Sequence, residues 1–194
     1  MHEAFRDLHA HTRAALADLA GQWAAGELSA STFAEAMDAT LLLAHTEAVV
    51  IGRTHAGDDT PEEEDDRRFA GAIVEGEHDF LQQFRLDLDA GRYTGEDGVR
   101  DGDAVAARAE MYADRITGTA NDAWGLTLPE EIRLTWTLGA ADGSTCTDCP
   151  ELADASPYTT ATIPTYPGKG ETLCGRACRC SVDTEGGQRG FTTP

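Results

Sequence analysis

The residues best suited to chemistry in this sequence are its five cysteines, which all lie after residue 145. Two of them are separated by two residues, and two thiolates at that spacing on a tight turn can bind one metal ion at about 2.3 Å. The other three follow a threonine- and proline-rich stretch, and a second pair from among them would complete a tetrahedral thiolate site. The candidate metal ligands are Cys146, Cys149, Cys174, Cys178 and Cys180.

The spacing leaves open which two of the later three cysteines bind, because Cys174 can pair with either Cys178 or Cys180. The N-terminus lacks the basic region and apolar stretch of a secretory signal, so we expect an unsecreted protein with reduced thiols. Reduced thiols favour a metal over disulfides, and an odd number of cysteines excludes complete pairing. The region also has few large apolar residues, so a metal would stabilise its fold. We predict one structural zinc ion bound by four of the five cysteines, with disulfides or unlinked thiols as alternatives.

No other motif in the sequence favours catalysis or a further cofactor. His9 and His11 are two residues apart, so on a helix they point in different directions, and we expect both to be exposed. The aspartates at 97, 101 and 103 lack the spacing of an EF-hand loop. There is no G-x-S-x-G, Walker A or H-E-x-x-H motif. We therefore expect no enzymatic activity and identify no catalytic or cofactor-binding residues.

The charge of the chain restricts its partners. Its 194 residues include 15 basic and 35 acidic side chains, which gives a net charge of −20. Binding to nucleic acid depends on clustered Lys and Arg, and anionic membrane surfaces also attract basic segments. No apolar run approaches the roughly 18 residues needed to span a bilayer. We expect no direct binding to nucleic acid and no membrane association.

The first part of the chain has the patterning of helices. Apolar residues near helical spacing predict a helix over 5–25, which Gly26 ends. Thr32 and Glu35 form a capping box that predicts the start of a second helix. Thr60 and Pro61, followed by carboxylates, predict the start of a third helix, which stops near Gly91. A loop over 92–102 then leads to a predicted fourth helix over 103–124.

The pattern changes after residue 125. Alternating apolar and polar residues predict a strand around 132–138, and Asp142-Gly143 predicts a turn before the first cysteine pair. Residues 186–194 contain few apolar side chains and predict a flexible tail or docking arm. The predicted fold class is mostly α: an N-terminal helical bundle over 1–125 is followed by a small α+β, zinc-ribbon-like module over 126–194.

The order of these motifs resembles a family of tailed-phage minor head proteins, the Mu F-like head-morphogenesis proteins. The resemblance lies in a helix ending near Trp124, Trp136 on a strand, and the segment Asp142-Gly-Ser-Thr-Cys146-x-x-Cys149. The proline-rich segment 163–167 and Cys174-x3-Cys178-Arg-Cys180 complete it. Many members have a histidine before the final Cys-Arg-Cys, and Cys174 would replace it as a ligand. The motifs cover roughly residues 103–184, and the preceding part matches only in its helical layout.

The resemblance implies a structural role as a low-copy minor capsid or head-morphogenesis protein, located in the virion after assembly in the host cytoplasm. Its partners would be the portal protein, the major capsid protein or both, with copies arranged by the symmetry of the particle. One alternative is a capsid decoration or head–tail connector protein. Another, from a different class, is a non-viral zinc-stapled protein-interaction module.

Overall fold

The computed structural model describes residues 2–61, 63–139 and 146–194. Six α-helices and two short strands form in this part of the chain. They are α1 (His2–Ala24), α2 (Ala30–Ala56), α3 (Glu63–Asp89), α4 (Gly102–Glu110), α5 (Ile116–Thr127), β1 (Leu134–Thr137), α6 (Asp148–Asp154) and β2 (Ser181–Thr184), with single 3₁₀ turns at Ala113–Arg115 and Gly175–Ala177. The predicted fold class is confirmed: the protein is mostly helical, with a small α+β region around the cysteines. None of the described helices is both long and apolar enough to span a bilayer.

The chain forms two compact units. The bundle unit comprises Asp7–Thr46 and Glu63–Ala113, and the Cys-containing unit comprises Met1–Arg6, Glu47–Glu62 and Asp114–Pro194. The predicted domain boundary at residue 125 falls within α5. Whether residues 126–194 fold as a domain by themselves stays a prediction.

Aromatic and aliphatic side chains from α1 to α4 fill the core of the bundle unit. Phe84 lies at its centre, with its ring 5.7 Å from that of Phe33 and 6.5 Å from that of Tyr112. Each fully buried side chain of this kind stabilises the fold by about 1.5–3 kcal/mol. The amphipathic patterns that predicted the first three helices therefore correspond to a real core.

Two predicted details of the helices are wrong. The second helix begins at Ala30, because the Ser29 hydroxyl accepts a hydrogen bond from the Thr32 amide at 3.1 Å and caps the helix first. Thr32 consequently lies in the first turn. The predicted fourth helix is divided into α4 and α5, and the break turns Tyr112 into the core against Phe84. The third helix begins at Glu63, after the predicted Thr60-Pro61 signal, and Glu62 lies outside the described residues.

The predicted strand is confirmed in a shorter form. β1 pairs antiparallel with β2, with Leu134 opposite Thr184 and Trp136 opposite Val182. Leu134 and Trp136 are buried whereas Thr135 is exposed, as the two-residue alternation requires. The turn predicted at Asp142-Gly143 lies outside the described residues.

The final segment, residues 186–194, is packed within the Cys-containing unit, so of the two predicted alternatives, a flexible tail or a docking arm, the flexible tail is wrong. We call this segment the C-terminal arm. The Gly190 amide donates to the Val182 carbonyl at 2.8 Å, and the Phe191 side chain is fully buried. The buried Asn121 side chain binds the Phe191 backbone in both directions, at 2.7 Å through its oxygen and 2.9 Å through its nitrogen. The arm is therefore held by the buried ring of Phe191 and by the side-chain amide of Asn121, and it lacks the repeated apolar residues that usually mark a packed segment.

Candidate metal centre

Three short elements of the Cys-containing unit position the five thiols. Cys149 lies in the first turn of α6, and Cys146 lies two residues before that helix begins. Cys174 and Cys178 flank the 3₁₀ turn at Gly175–Ala177, and Cys180 directly precedes β2. Because β2 pairs with β1, the sheet fixes the end of the chain segment that bears the last two thiols.

All five predicted ligands lie together. The Sγ atom of Cys149 is 3.2 Å from that of Cys146, 3.6 Å from that of Cys174 and 3.9 Å from that of Cys178. The thiols form two overlapping groups, in each of which all Sγ atoms lie within 4.8 Å of one another. One group is Cys146, Cys149 and Cys174, and the other is Cys149, Cys178 and Cys180. Cys149 belongs to both groups and is fully buried, so it is the centre of the cluster.

Backbone and polar contacts hold the two cysteine-bearing segments against each other. The Asp148 carboxylate accepts a hydrogen bond from the Leu173 amide at 2.8 Å, which links the start of α6 to the segment before Cys174. The Thr172 hydroxyl lies 3.2 Å from the Cys174 sulfur. Gly139 lies so close to the Arg179 backbone that an added Cβ would be 2.6 Å from the Arg179 carbonyl oxygen. Only glycine fits there, and the Cys-Arg-Cys segment can therefore approach the end of β1 closely.

The protonation of the thiols differs with burial. Burial, with a further contribution from the neighbouring thiols, raises the pKa of Cys149 far above its usual value. Burial also raises the pKa of Cys178 to about 12. For Cys146 the effect of burial is outweighed by hydrogen bonding with the Cys149 and Cys174 residues, which lowers its pKa to about 7. Without a positive charge the buried thiols stay neutral at neutral pH, whereas a bound metal favours their thiolate forms, so binding must release protons.

The spacing of the sulfur atoms suits a metal. Four thiolates at about 2.3 Å from a tetrahedral ion lie about 3.8 Å from one another. The three sulfur–sulfur distances measured from Cys149, between 3.2 and 3.9 Å, are close to that value. All five cysteines are free, and the nearest pair is well beyond the ~2.05 Å of a disulfide bond. The cluster is therefore a group of thiols compatible with a metal site.

The other candidate metal ligands from the sequence, His9 and His11, lie on α1, and only one of them has the predicted exposure. His11 is exposed as predicted, but His9 is buried, because it faces inward on α1 where Leu8 and Thr12 are also buried. Sequence reasoning missed Asp148 and Thr172, whose contacts support the cluster. The Thr-Asp sequence at the start of α6, a common pattern at helix starts, was a signal for the role of Asp148.

Comparisons with known proteins do not identify the chain. No family model matches it, and neither the curated proteins nor the solved structures include a significant match.

Proposed function

We propose that this protein is a structural minor capsid or head-morphogenesis protein of a tailed virus, which contacts the portal protein, the coat protein or both. The observation that supports the proposal is the order of its motifs: a helix to Trp124, a strand with Trp136, and two cysteine segments separated by a proline-rich stretch. The structure brings these two cysteine segments together in one cluster, as a shared metal site requires. The protein would be assembled in the host cytoplasm and located in the virion.

We further propose that the cluster binds one zinc ion through Cys146, Cys149, Cys174 and Cys178. The donors are all thiols, which zinc and other soft metals prefer, and structural zinc sites are closed tetrahedral sites of this kind. Cys178 is the proposed fourth ligand, because it lies 3.9 Å from Cys149 and also interacts with Cys174. A bound ion would stabilise the fold by linking α6 to the segment before β2. Cys180 would remain a buried free thiol.

The proposed partners are proteins. With a net charge of −20, the surface would be repelled by packaged DNA, so its contacts should be with capsid proteins. We propose no direct contact with nucleic acid, no membrane association and no enzymatic activity. Binding of the purified protein to duplex DNA at moderate salt would contradict this part of the proposal.

The experiment that tests the function is quantitative mass spectrometry of purified virus particles, with this chain counted against the major coat protein. We expect about a dozen copies per particle, the number that suits a single symmetric vertex. Hundreds of copies would instead indicate a decoration protein. If the chain is absent from the particles, the proposal of a minor capsid protein is wrong, and a transient assembly factor or a non-viral zinc-stapled interaction module becomes the better explanation.

A further inference from the structure

A cavity of about 260 Å³ opens in the Cys-containing unit between the start of α1 and the C-terminal arm. Its α1 side is formed by His2, Phe5 and Arg6, and its arm side includes Arg189 and Thr192. No acidic side chain of the described residues lines it. In a chain with 35 acidic and 15 basic residues, such a lining is unexpected.

The two arginines that line the cavity differ in their contacts with other side chains. The Arg189 guanidinium donates to the Asp183 carboxylate at 2.9 Å, which fixes it while leaving 60% of its side chain exposed. Arg6 forms no hydrogen bond or ion pair with the described residues, and its side chain is exposed. One positioned guanidinium and one uncompensated guanidinium therefore face the same cavity. The Asp183 carboxylate offsets only the first of them.

His2 lines the cavity beside other groups that can carry positive charge. Its ring lies 5.0 Å from the ring of His55, whose Nε2 atom is 2.7 Å from the Arg189 carbonyl oxygen. Burial lowers the pKa of His2, and the charges of His55 and Arg6 lower it further. A hydrogen bond to the Arg189 backbone only partly opposes this effect. A negative charge in the cavity would remove the electrostatic part of the shift.

We propose that this cavity binds a phosphate-type oxyanion between Arg6 of α1 and Arg189 of the C-terminal arm. Guanidinium groups bind such anions through paired N–H donors, and the His2 ring and the Thr192 hydroxyl offer further donors at the same cavity. The volume is sufficient for inorganic phosphate or a small phosphate monoester. The site would take its ligand whether or not the protein is a capsid component.

Binding would connect two segments that are distant in the sequence. The arm is already anchored by Phe191 and by the hydrogen bonds of Asn121 to the Phe191 backbone. An anion held by Arg6 and Arg189 would add a second connection, from the arm to α1. The ligand should therefore slow hydrogen exchange at the Phe191 amide, which donates to Asn121.

The test is an NMR titration of the His2 imidazole in the metal-loaded full chain, with inorganic phosphate added at constant ionic strength. A saturating anion close to the ring should raise the pKa of His2 by about 0.5 unit or more. A parallel titration with glycerol 3-phosphate distinguishes free phosphate from a phosphate monoester as the better ligand. Hydrogen exchange at Phe191, measured in the same samples, should become slower.

Arg6→Gln is the decisive variant, because Arg6 has no partner among the described residues whose loss would disturb the fold. It should weaken phosphate binding by about tenfold or more, since a charge-assisted hydrogen-bonded pair is lost. Arg68→Gln is the matched control: it removes another exposed arginine, on α3, and should leave binding unchanged. The proposal is overturned if phosphate leaves the pKa of His2 and the exchange of Phe191 unchanged, or if Arg6→Gln binds phosphate as the wild type does.

Discussion

Replacement of Phe191 by alanine tests whether the C-terminal arm is packed in solution. The Phe191 side chain is fully buried, and its ring lies 4.9 Å from that of Phe5, 5.3 Å from that of His2 and 5.0 Å from that of His55. Removal of a buried phenylalanine ring costs about 3–5 kcal/mol, because apolar contacts are lost and a cavity remains. In a domain of this size each kcal/mol lowers the Tm by about 2–4 °C, so we expect a decrease of about 6–20 °C.

The assay is thermal and urea unfolding of the metal-loaded protein, followed by circular dichroism. Thr192→Ala is the matched control, because its side chain is exposed in the same segment and its replacement should change the free energy of unfolding by no more than about 0.5 kcal/mol. If Phe191→Ala is as stable as this control, the arm is not packed as described, and the reasoning from its burial is refuted.

Two further substitutions test close packing and an ion pair. Gly52→Ala should destabilise the protein by about 1–3 kcal/mol in urea unfolding, because an added Cβ would overlap the Ala120 carbonyl oxygen; Gly71→Ala, with no atom within 4 Å of its Cβ position, should be neutral or stabilising by up to about 1 kcal/mol. Equal stability of these two variants would contradict the close approach of α2 and α5. Hydrogen bonds from Arg108 and Gln83 hold the pKa of Asp87 below its usual value of 3.8. The stabilisation is therefore complete above that pH and is lost as the pH falls through the folded-state pKa. Asp87→Asn should reduce the loss of stability in acid, and an unchanged acid unfolding curve would refute the role of this pair.

The sequence was sufficient to predict the first three helices because their apolar residues recur at helical spacing, and that pattern depends only on local order; α6 (Asp148–Asp154) was not predicted. The sequence could not predict the break between α4 and α5, where Tyr112 packs against Phe84 of another helix, because that contact is not visible in the local pattern. Ser29 and Thr32 can both cap a helix, and in the structure it is Ser29 that accepts the hydrogen bond from the Thr32 amide. The local apolar pattern therefore predicts where helices form, whereas contacts between residues distant in the sequence are not visible in it.

The C-terminal arm and the cysteine cluster likewise have features that depend on contacts between residues distant in the sequence. The arm is held by Phe191 and by Asn121, which lies 70 residues earlier in the sequence, so no local pattern marks it as packed. The cysteines could be identified as a cluster from residue type and spacing alone. The spacing could not reveal that Cys149 belongs to both thiol groups, because that depends on how α6 packs against the segment before β2.

The most direct test of a single metal centre is the metal content of the protein and its variants after anaerobic purification, measured by elemental analysis and native mass spectrometry. We expect about one zinc ion per chain in the wild type. Cys149→Ser should abolish binding because it removes the thiol shared by both groups, whereas Cys180→Ser should retain the ion. A wild-type chain without metal, or a Cys149→Ser variant that still binds zinc at the same stoichiometry, would contradict the account.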